Sequence, residues 1–496
     1  MKIILPSLAI LAFCVAGAAQ AQTNVVKTYG NIQFRANNPL SNFFSPENKT
    51  AMFRIPASGN VSSIFASGLW TYGEVQFENY KVAAERYDLE YGQGTGNSCT
   101  ETFKEIVSLT AQEIEYHRLN YNQPNYQPIQ AIVNWPVNND QNCATIPVVQ
   151  FHDVDGDRKY NPMAGDYPYI KGDYALMYAK NDRYSDQKST TNGRPTDLQI
   201  GVMVYGYSSL PNTLFVNYSL LNTGGATLKN VKLGLWADID LGNPADDYIG
   251  TFSELNSVYG YNGDANDEVS GGVAPGYGEV PPAQGIVLLN NQLIGSVLVP
   301  STEFIPEGYA NLLNGKGVTG TPLSKFAFNG DPFLGSGNTE VKSMNTPGDR
   351  QILAVASPGN GVIQPFETAC FEIAYVWSRA GSGDQHSSVQ NLKADIQTVQ
   401  AFYDSQEQYC SGVVPSSVAE QQTLEHITIA PNPVTDVLNV SMGQSQLTGV
   451  SVFNTMGQEI FHSEKASFSV AQLPAGIYFL KVTTSKGQAI NSFIKQ

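Results

Sequence analysis

Aspartates on alternate positions are the feature of this sequence best suited to chemistry. The segment FHDVDGDRKYNPMAGDYPYIKGD, residues 151–173, places carboxylates at Asp153, Asp155 and Asp157. A calcium ion takes about six to eight oxygen ligands, and an EF-hand loop supplies carboxylates from positions 1, 3 and 5 and a backbone carbonyl from position 7. The spacing therefore predicts a calcium loop in which Lys159 offers its carbonyl and Asp166 adds another carboxylate.

The loop departs from an EF-hand, which leaves a second interpretation open. An EF-hand has glycine at position 6 and glutamate at position 12, whereas this sequence has Arg158 and Ala164 there, and the segment shows no flanking helices. Gly156 permits a sharp turn between the carboxylates. The alternative to a calcium loop is a solvated acidic turn, in which the charges of neighbouring aspartates repel one another uncompensated.

A second group of acids follows a predicted strand. The segment ADIDLGNPADDYIG carries Asp238, Asp240, Asp246 and Asp247. The segment YNGDANDE adds Asp264, Asp267 and Glu268, which could close a second calcium site. A glycosidase acid and base, set about 5 to 9.5 Å apart, is the catalytic alternative. Adjacent aspartates in a turn of Gly, Asn and Pro suit ion ligation better than the raised pKa of a general acid.

Motifs of the common catalytic classes are missing from the sequence. No H-E-x-x-H, G-x-S-x-G or G-x-x-x-x-G-K-[ST] motif occurs. Ser, Asp and His lie together in GSGDQHSS, residues 381–388, but a catalytic triad is assembled from distant segments. We therefore predict no catalytic residue and no organic cofactor. The tryptophans could stack on sugars, but their apolar, strand-like contexts favour the core for Trp70, Trp135, Trp236 and Trp377.

The N-terminus indicates the compartment. Residues 1–21, MKIILPSLAILAFCVAGAAQA, combine one lysine, an apolar run and the small-x-small ending Ala19-Gln20-Ala21. This pattern predicts a secretory signal peptide cleaved before Gln22. A membrane anchor is the alternative, but the apolar run is short for a bilayer span of about 20 residues. No later stretch is apolar enough to cross a membrane, so we expect an exported chain without a transmembrane span.

The cysteines fit an oxidising compartment. Cys14 lies in the predicted signal peptide, and four remain: Cys99, Cys143, Cys370 and Cys410. An even number in an exported chain predicts disulfides. Three pairings are possible. We favour Cys99–Cys143 and Cys370–Cys410, because each pair brackets one local segment.

The composition excludes some classes of binding partner and indicates the fold class. The chain has 496 residues and a formal net charge of −16, without a basic run, so nucleic acid and anionic membrane surfaces should repel it. Its many glycines and aromatics favour strands and turns over helices. We predict a mainly β protein with a multi-domain Ig-like or jelly-roll-like β-sandwich cargo region, a few helices, and a small C-terminal Ig-like sandwich.

Periodicity places the elements that must position these residues. Residues 213–242 predict a hairpin through an Asn-Thr-Gly-Gly turn, and residues 351–378 repeat that pattern around Pro-Gly-Asn-Gly. Residues 99–121 predict a helix, with Phe103, Ile106, Val107 and Leu109 near one stripe. Residues 387–408 predict another, with Ser387 or Ser388 as its cap and a stripe of Val389, Leu392, Ile396, Val399 and Phe402.

Composition shifts divide the chain. After the signal peptide we predict an N-terminal β-rich region with a helix over residues 22–145 and a central β-sandwich region with acidic loops and a late helix over residues 146–410. Residues 411–425 are polar and aperiodic and predict a linker. Residues 426–496 contain several short strands separated by turns, which is typical of a small β-sandwich.

The C-terminal segment resembles a known family. PNPVTDVLNV at 431–440, VSVFNTMGQEIF at 450–461, LPAGIYFLKV at 473–482 and the ending FIKQ are similar to the type A C-terminal sorting domain of the type IX secretion system. The resemblance implies transit through the periplasm and docking of this domain on the outer-membrane translocon and its sorting machinery. It also implies that the domain is removed afterwards, leaving the cargo secreted or on the cell surface.

The central region resembles uncharacterised exported proteins that carry the same tail. The shared features include GLW at 68–70, IVNWP at 132–136 and the three acidic segments. This resemblance implies no activity. We expect a non-catalytic structural or adhesive protein with calcium-stabilised loops and a surface glycan or protein as ligand. The alternative is a carbohydrate-binding or carbohydrate-active secreted enzyme.

Overall fold

The computed structural model describes most of the chain in two compact units, residues 1–414 and 415–496. The described residues are 23–76, 80–95, 102–103, 105–137, 149–157, 159–183, 190–269, 275–406, 428–441, 446–454, 459–484 and 487–496. The predicted signal peptide, the predicted linker, and Cys99, Cys143 and Cys410 lie outside them. Among the described residues, no helix has both the length and the apolarity needed to cross a membrane.

The first unit, the cargo unit, is built mainly of strands. They are β1 (Asn24–Tyr29), β2 (Ile32–Asn37), β3 (Phe44–Ser45), β4 (Thr50–Ala51), β5 (Phe53–Arg54), β6 (Ser62–Ile64), β7 (Ala66–Glu74), β8 (Lys81–Ala84), β9 (Gly92–Thr95), β10 (Thr102–Phe103), β11 (Val107–Thr110), β12 (Phe151–His152), β13 (Tyr167–Pro168), β14 (Tyr174–Asp182), β15 (Leu198–Gly206), β16 (Thr213–Asn222), β17 (Lys229–Ile239), β18 (Asp247–Phe252), β19 (Ser257–Asn262), β20 (Asn266–Asp267), β21 (Gly278–Glu279), β22 (Ala283–Leu288), β23 (Leu293–Val299), β24 (Arg350–Ala356) and β25 (Thr368–Ser378). Its helices are α1 (Ala111–Asn120), α2 (Gln130–Val133), α3 (Pro306–Leu313) and α4 (Gln385–Asp404).

Two large antiparallel sheets form the body of the cargo unit. The ten-stranded sheet has the order β10-β9-β14-β15-β16-β25-β22-β19-β18, with β11 paired to β14. The five-stranded sheet has the order β23-β24-β17-β7-β8. Strands from both sides of residue 145 share these sheets, because β7 and β8 pair within the same sheet as β17 and β24.

The sheets and helices stack in four layers. Along β17, the side chains of Leu233, Leu235 and Ala237 enter a core that also holds Val216 and Ile373 of the ten-stranded sheet. This core therefore lies between the two sheets, as in a β-sandwich. On the outer side of the five-stranded sheet, Trp70 and Trp236 pack with α3. On the outer side of the ten-stranded sheet, the buried face of α4 packs over Ala374 and Val376.

The two predicted hairpins are wrong in their pairing. Strands β16 and β17 do not pair with each other: β16 pairs with β15 and β25, whereas β17 pairs with β7 and β24. In the second case β24 and β25 are likewise divided between the two sheets. Both turns are therefore arches that carry the chain from one sheet to the other. Reciprocal backbone hydrogen bonds between Leu228 and Ile363 join the arches.

The first predicted helix begins later than expected. Residues 107–110 form β11, in which Val107 and Leu109 are buried on alternate positions, so the apolar pattern there has the period of a strand. Thr110 accepts a hydrogen bond from the Glu113 amide, and the Glu113 side chain bonds back to the Thr110 amide. This capping box starts α1 at Ala111.

The second predicted helix is present as α4. Its buried face contains Val389, Leu392, Ile396 and Val399, as expected, with Tyr403 buried in place of Phe402. Asp384 is the N-cap rather than Ser387 or Ser388, and its side chain accepts a hydrogen bond from the Ser387 amide.

The second unit, the tail unit, is a small two-sheet structure. Its strands are β26 (Thr428–Ala430), β27 (Val437–Ser441), β28 (Leu447–Phe453), β29 (Glu459–Ser463), β30 (Ser467–Ser469), β31 (Gly476–Thr484) and β32 (Gly487–Lys495). They form antiparallel sheets with the orders β26-β27-β30 and β29-β28-β31-β32. Leu438 of one sheet and Val450 and Leu480 of the other share one buried core, which agrees with the predicted sandwich.

Candidate metal centres

The loop between β12 and β13 holds the first group of acids. The pairing of His152 with Tyr167 brings the two ends of the loop together, so Asp153 and Asp166 leave the ladder side by side. Asn161 caps a single 3-10 turn, and Gly165, with a φ of 108°, ends that turn in the left-handed region. The turn reverses the chain and returns Asp166 to the alternating aspartates.

Four predicted ligands converge in this loop. One carboxylate oxygen from each of four residues lies within 4.8 Å of the others: Asp153, Asp155, Asp157 and Asp166. That limit is twice a calcium–oxygen distance of about 2.4 Å. Asp153 and Asp166 are buried, at 2% and 0% exposure, whereas Asp155 and Asp157 face solvent. The group is therefore half-buried, with two acids inside the fold and two at its mouth.

Backbone amides orient these carboxylates. Asp153 accepts from the Gly156 amide at 2.8 Å, and Asp155 accepts from the Asp157 amide at 3.1 Å. Asp157 accepts from the Lys159 amide at 2.7 Å. The Lys159 side chain is exposed, and the role of its carbonyl as a ligand stays a prediction.

Asp166 is the most firmly held of the four carboxylates. It accepts from the Val154 amide at 2.7 Å and the Asn161 amide at 2.8 Å. Burial raises the pKa of Asp166, and repulsion from Asp153 and Asp155 adds to the rise against the opposing effect of these hydrogen bonds. The crowding of negative charge is thus a property of the folded loop.

The second group of acids differs from the predicted one. One carboxylate oxygen from each of Asp238, Asp240 and Asp349 lies within 4.8 Å of the others. Strand pairing creates this group, because Ile239 of β17 lies opposite Arg350 of β24. The residues just beyond that pair are Asp240 and Asp349. Asp349 lies more than 100 residues away in sequence, and no local spacing pointed to it.

A hydrogen-bond chain surrounds Asp238. The Tyr87 hydroxyl donates to Asp238 Oδ2 at 2.5 Å, and the Gln351 amide donates to Tyr87 at 2.8 Å. Burial raises the pKa of Asp238 well above its usual range, and burial together with Asp349 raises the pKa of Asp240 to about 7. The neutral forms are favoured here because charge is costly to bury.

Asp247 and Asp267, which were also predicted for the second site, support the backbone of the loop. Asp247 accepts from the Leu241 amide at 2.9 Å. Asp267 accepts from the amides of Asn243 at 3.0 Å and Tyr277 at 2.5 Å. Within the described residues, the three-acid group does not include Asp246, Asp247, Asp264, Asp267 or Glu268.

Most of the remaining candidates are structural. Trp70, Trp135 and Trp236 are buried, at 0%, 2% and 0% exposure, and Trp377 packs partly buried against the central core. Asp384 and Ser387 of the GSGDQHSS segment form the capping box of α4. Cys370 is disulfide-bonded. Because Cys99, Cys143 and Cys410 lie outside the described residues, the pairing stays a prediction.

Comparisons with known proteins identify the tail unit. Residues 428–496 match the family model described as a secretion system C-terminal sorting domain. No curated protein matches the chain. A solved polysaccharide lyase is similar over 70% of this chain at 11% sequence identity and a TM-score of 0.22. That match covers 39% of the lyase chain, so this chain spans about two fifths of its length, and a TM-score this low establishes no shared fold. Residues 428–496 are a type IX secretion C-terminal sorting domain, and the chain is an exported protein destined for the cell surface or the extracellular space.

Proposed function

We propose that the cargo unit is a non-catalytic structural or adhesive protein whose acidic loop, residues 153–166, binds calcium outside the cell. The single observation that supports this proposal most is the convergence of four carboxylates within 4.8 Å. Two of them, Asp153 and Asp166, are buried, so solvent screens their repulsion poorly. A bound calcium ion offsets that repulsion and joins the two halves of the loop.

The chemistry of the ligand set favours calcium. Its donors are carboxylates, with carbonyls such as that of Lys159 within the same loop, and hard oxygen donors suit calcium, magnesium and manganese. Calcium accepts an irregular arrangement of ligands such as a loop provides, whereas magnesium demands near-ideal octahedral geometry with metal–oxygen distances of about 2.1 Å. Two of the four carboxylates are exposed, so a bound ion would also keep water ligands. We therefore expect a weak site of the extracellular class, with a dissociation constant of about 10⁻⁴ to 10⁻³ M.

The effect on the protein is stabilisation of the folded state. A ligand that binds only the folded form contributes RT ln(1 + [L]/Kd), which is about 1.4 kcal/mol at a calcium concentration ten times Kd. The ladder of β12 and β13 pairs only two residues of each strand. An ion that bridges both ends of the loop would therefore add to the stability of this short ladder. The role proposed for calcium is therefore structural.

Calorimetry of the mature chain tests this proposal. Calcium at a few millimolar should raise the melting temperature of the cargo unit by a few degrees relative to chelator. Asp155→Asn should clearly reduce that rise, because it deletes an exposed carboxylate of the group and preserves its shape. Glu303→Gln, an equal change of charge at another exposed site, should retain the full rise. Identical melting curves in calcium and in chelator would show that the loop is a solvated turn.

One observation favours the alternative, carbohydrate binding. Two adjoining cavities of about 160 and 200 Å³ lie between α4 and the end of β25 and share Asn212, Trp377 and Asp395. An indole beside amide and carboxylate groups is a chemistry suited to sugars. A screen of glycans and host proteins against the mature chain, with and without calcium, separates the adhesive role from a purely structural one.

A further inference from the structure

The pairing of β17 with β24 brings the acids at the end of β17 close to an acid that precedes β24. Asp238 and Asp240 are two residues apart, so their side chains leave the strand on one face. The pairing of Ile239 with Arg350 sets Asp349 beside Asp240. Like charges on opposing strands are destabilising, and here three carboxylates come within 4.8 Å of one another.

A buried oxygen at this site has no partner outside the group of three acids. Asp238 is 4% exposed. Its Oδ2 accepts from Tyr87, whereas its Oδ1 has no hydrogen-bond donor in the described part of the chain other than the neighbouring Asp349 carboxyl. A buried unsatisfied carboxylate oxygen is costly, and an unseen ion is one of the few explanations for it.

Two arginines that are adjacent in sequence to Tyr87 and Asp349 bind other partners. The Arg86 guanidinium donates to the Thr302 carbonyl at 2.9 Å and to Gln351 at 2.7 Å. Arg350 donates to Glu340 at 2.9 Å, and to the backbone carbonyl of Asp349 rather than to its carboxylate. Across the described residues, no lysine, arginine or histidine forms an ion pair with Asp238, Asp240 or Asp349.

We infer that Asp238, Asp240 and Asp349 together bind one divalent cation of the calcium class, at a second site on the five-stranded sheet. Three carboxylates supply the hard oxygen donors that such an ion takes. Asp238 Oδ1 becomes a ligand of the cation. The cation joins the start of β24 to the end of β17 and fixes the phenol of Tyr87 through Asp238. This inference extends the proposed function to a second ion, but it rests on different residues from the 153–166 loop.

Titration of the mature chain with calcium, after removal of bound metal by chelator, tests the inference. The wild type should bind two ions by calorimetry. Asp349→Asn should bind one of them at least about ten-fold more weakly, because it removes one charge from a set of three. Asp349 is exposed, so the folded state should tolerate this variant, and circular dichroism checks that it does. Asp88→Asn, a charge change one residue from Tyr87, is the matched control and should bind as the wild type does.

The two sites can fail separately. If Asp349→Asn binds calcium with the same stoichiometry and affinity as the wild type, the inference is wrong. If Asp155→Asn is unchanged while Asp349→Asn loses an ion, the proposal for the 153–166 loop is wrong and this inference stands. Terbium luminescence excited through tryptophan gives a second measurement, because the Trp236 ring lies 5.3 Å from the Tyr87 ring. That signal should fall in Asp349→Asn and persist in Asp155→Asn.

Discussion

At the scale of single residues, His152 stands out because it is held neutral beside the acidic loop. Its ring stacks on Tyr167 with ring centres 4.3 Å apart. Burial lowers its pKa to about 4, and the positive charge of Arg118 adds to this effect. An unfolded histidine has a pKa of about 6.5. Between pH 6.5 and 4, the His152 ring is therefore protonated in the unfolded chain and neutral in the folded chain. The contribution of His152 to stability is therefore present above pH 6.5 and is lost as the pH falls towards 4.

We expect His152→Phe to make the protein less sensitive to acid. Phenylalanine keeps the stacking on Tyr167 and removes the titration. Between pH 7 and pH 5, in chelator, the variant should gain about 1–2 kcal/mol of unfolding free energy relative to the wild type, after allowance for partial exposure. Urea denaturation at both pH values measures the difference. A difference between the two proteins that does not change with pH would show that His152 titrates normally in the folded state.

At the scale of elements, a buried ionic network joins α4 to the ten-stranded sheet. Lys171 donates to both oxygens of Glu372 on β25, at 2.6 and 2.8 Å. The hydroxyls of Tyr205 on β15 and Tyr403 on α4 also donate to Glu372, at 2.6 and 2.8 Å. Glu372 is 2% exposed, so its charge depends entirely on these donors.

Lys171→Met should destabilise the cargo unit by about 3–5 kcal/mol, because it leaves a buried carboxylate without its cation. The double variant Lys171→Met/Glu372→Gln should recover much of that loss, since no unpaired charge then remains. Urea denaturation followed by circular dichroism measures both. Lys393→Met is the control: Lys393 pairs with Glu254 at a partly exposed site of α4 and should cost at most about 1 kcal/mol. Equal losses from Lys171→Met and Lys393→Met would contradict the structural role of the network.

At the scale of the whole molecule, export and cargo stability reside in separate compact units. Residues 1–414 and 415–496 each form their own unit, and the tail unit has a core of its own. The tail unit matches the sorting-domain model, and the candidate metal centres belong to the cargo unit. Changes in one unit should therefore leave the role of the other intact.

Deletion of residues 427–496 should leave the cargo in the periplasm, because the sorting domain is what the secretion machinery recognises. Cell fractionation with an antibody against the cargo unit measures the distribution. Full-length Asp155→Asn is the control and should reach the surface or the medium as the wild type does. Normal delivery of the truncated chain would mean that the export signal lies outside residues 427–496.

Features encoded by neighbouring residues were determined by the sequence itself. Short motifs between Pro431 and Gln496 indicate the type IX sorting domain. The α4 helix followed from apolar residues at helical spacing. The convergence of Asp153, Asp155, Asp157 and Asp166 was also foreseeable, because all four lie within 14 residues and one turn brings the last back to the first. In each case the physical cause acts over a short stretch of chain, so the local pattern is sufficient.

Features that depend on strands distant in sequence are set by the packing of the whole cargo unit. The turn after β16 has the composition of a hairpin, but β16 pairs with β25 and β17 pairs with β24. Every residue of β16 is buried. One face of β16 packs against the five-stranded sheet and the other lies in the core that includes α4. The same long-range pairing sets Asp349 beside Asp240 and excludes Asp246 and Asp247 from that group. Strand order follows from the packing of the whole sandwich, and no local spacing carries that information.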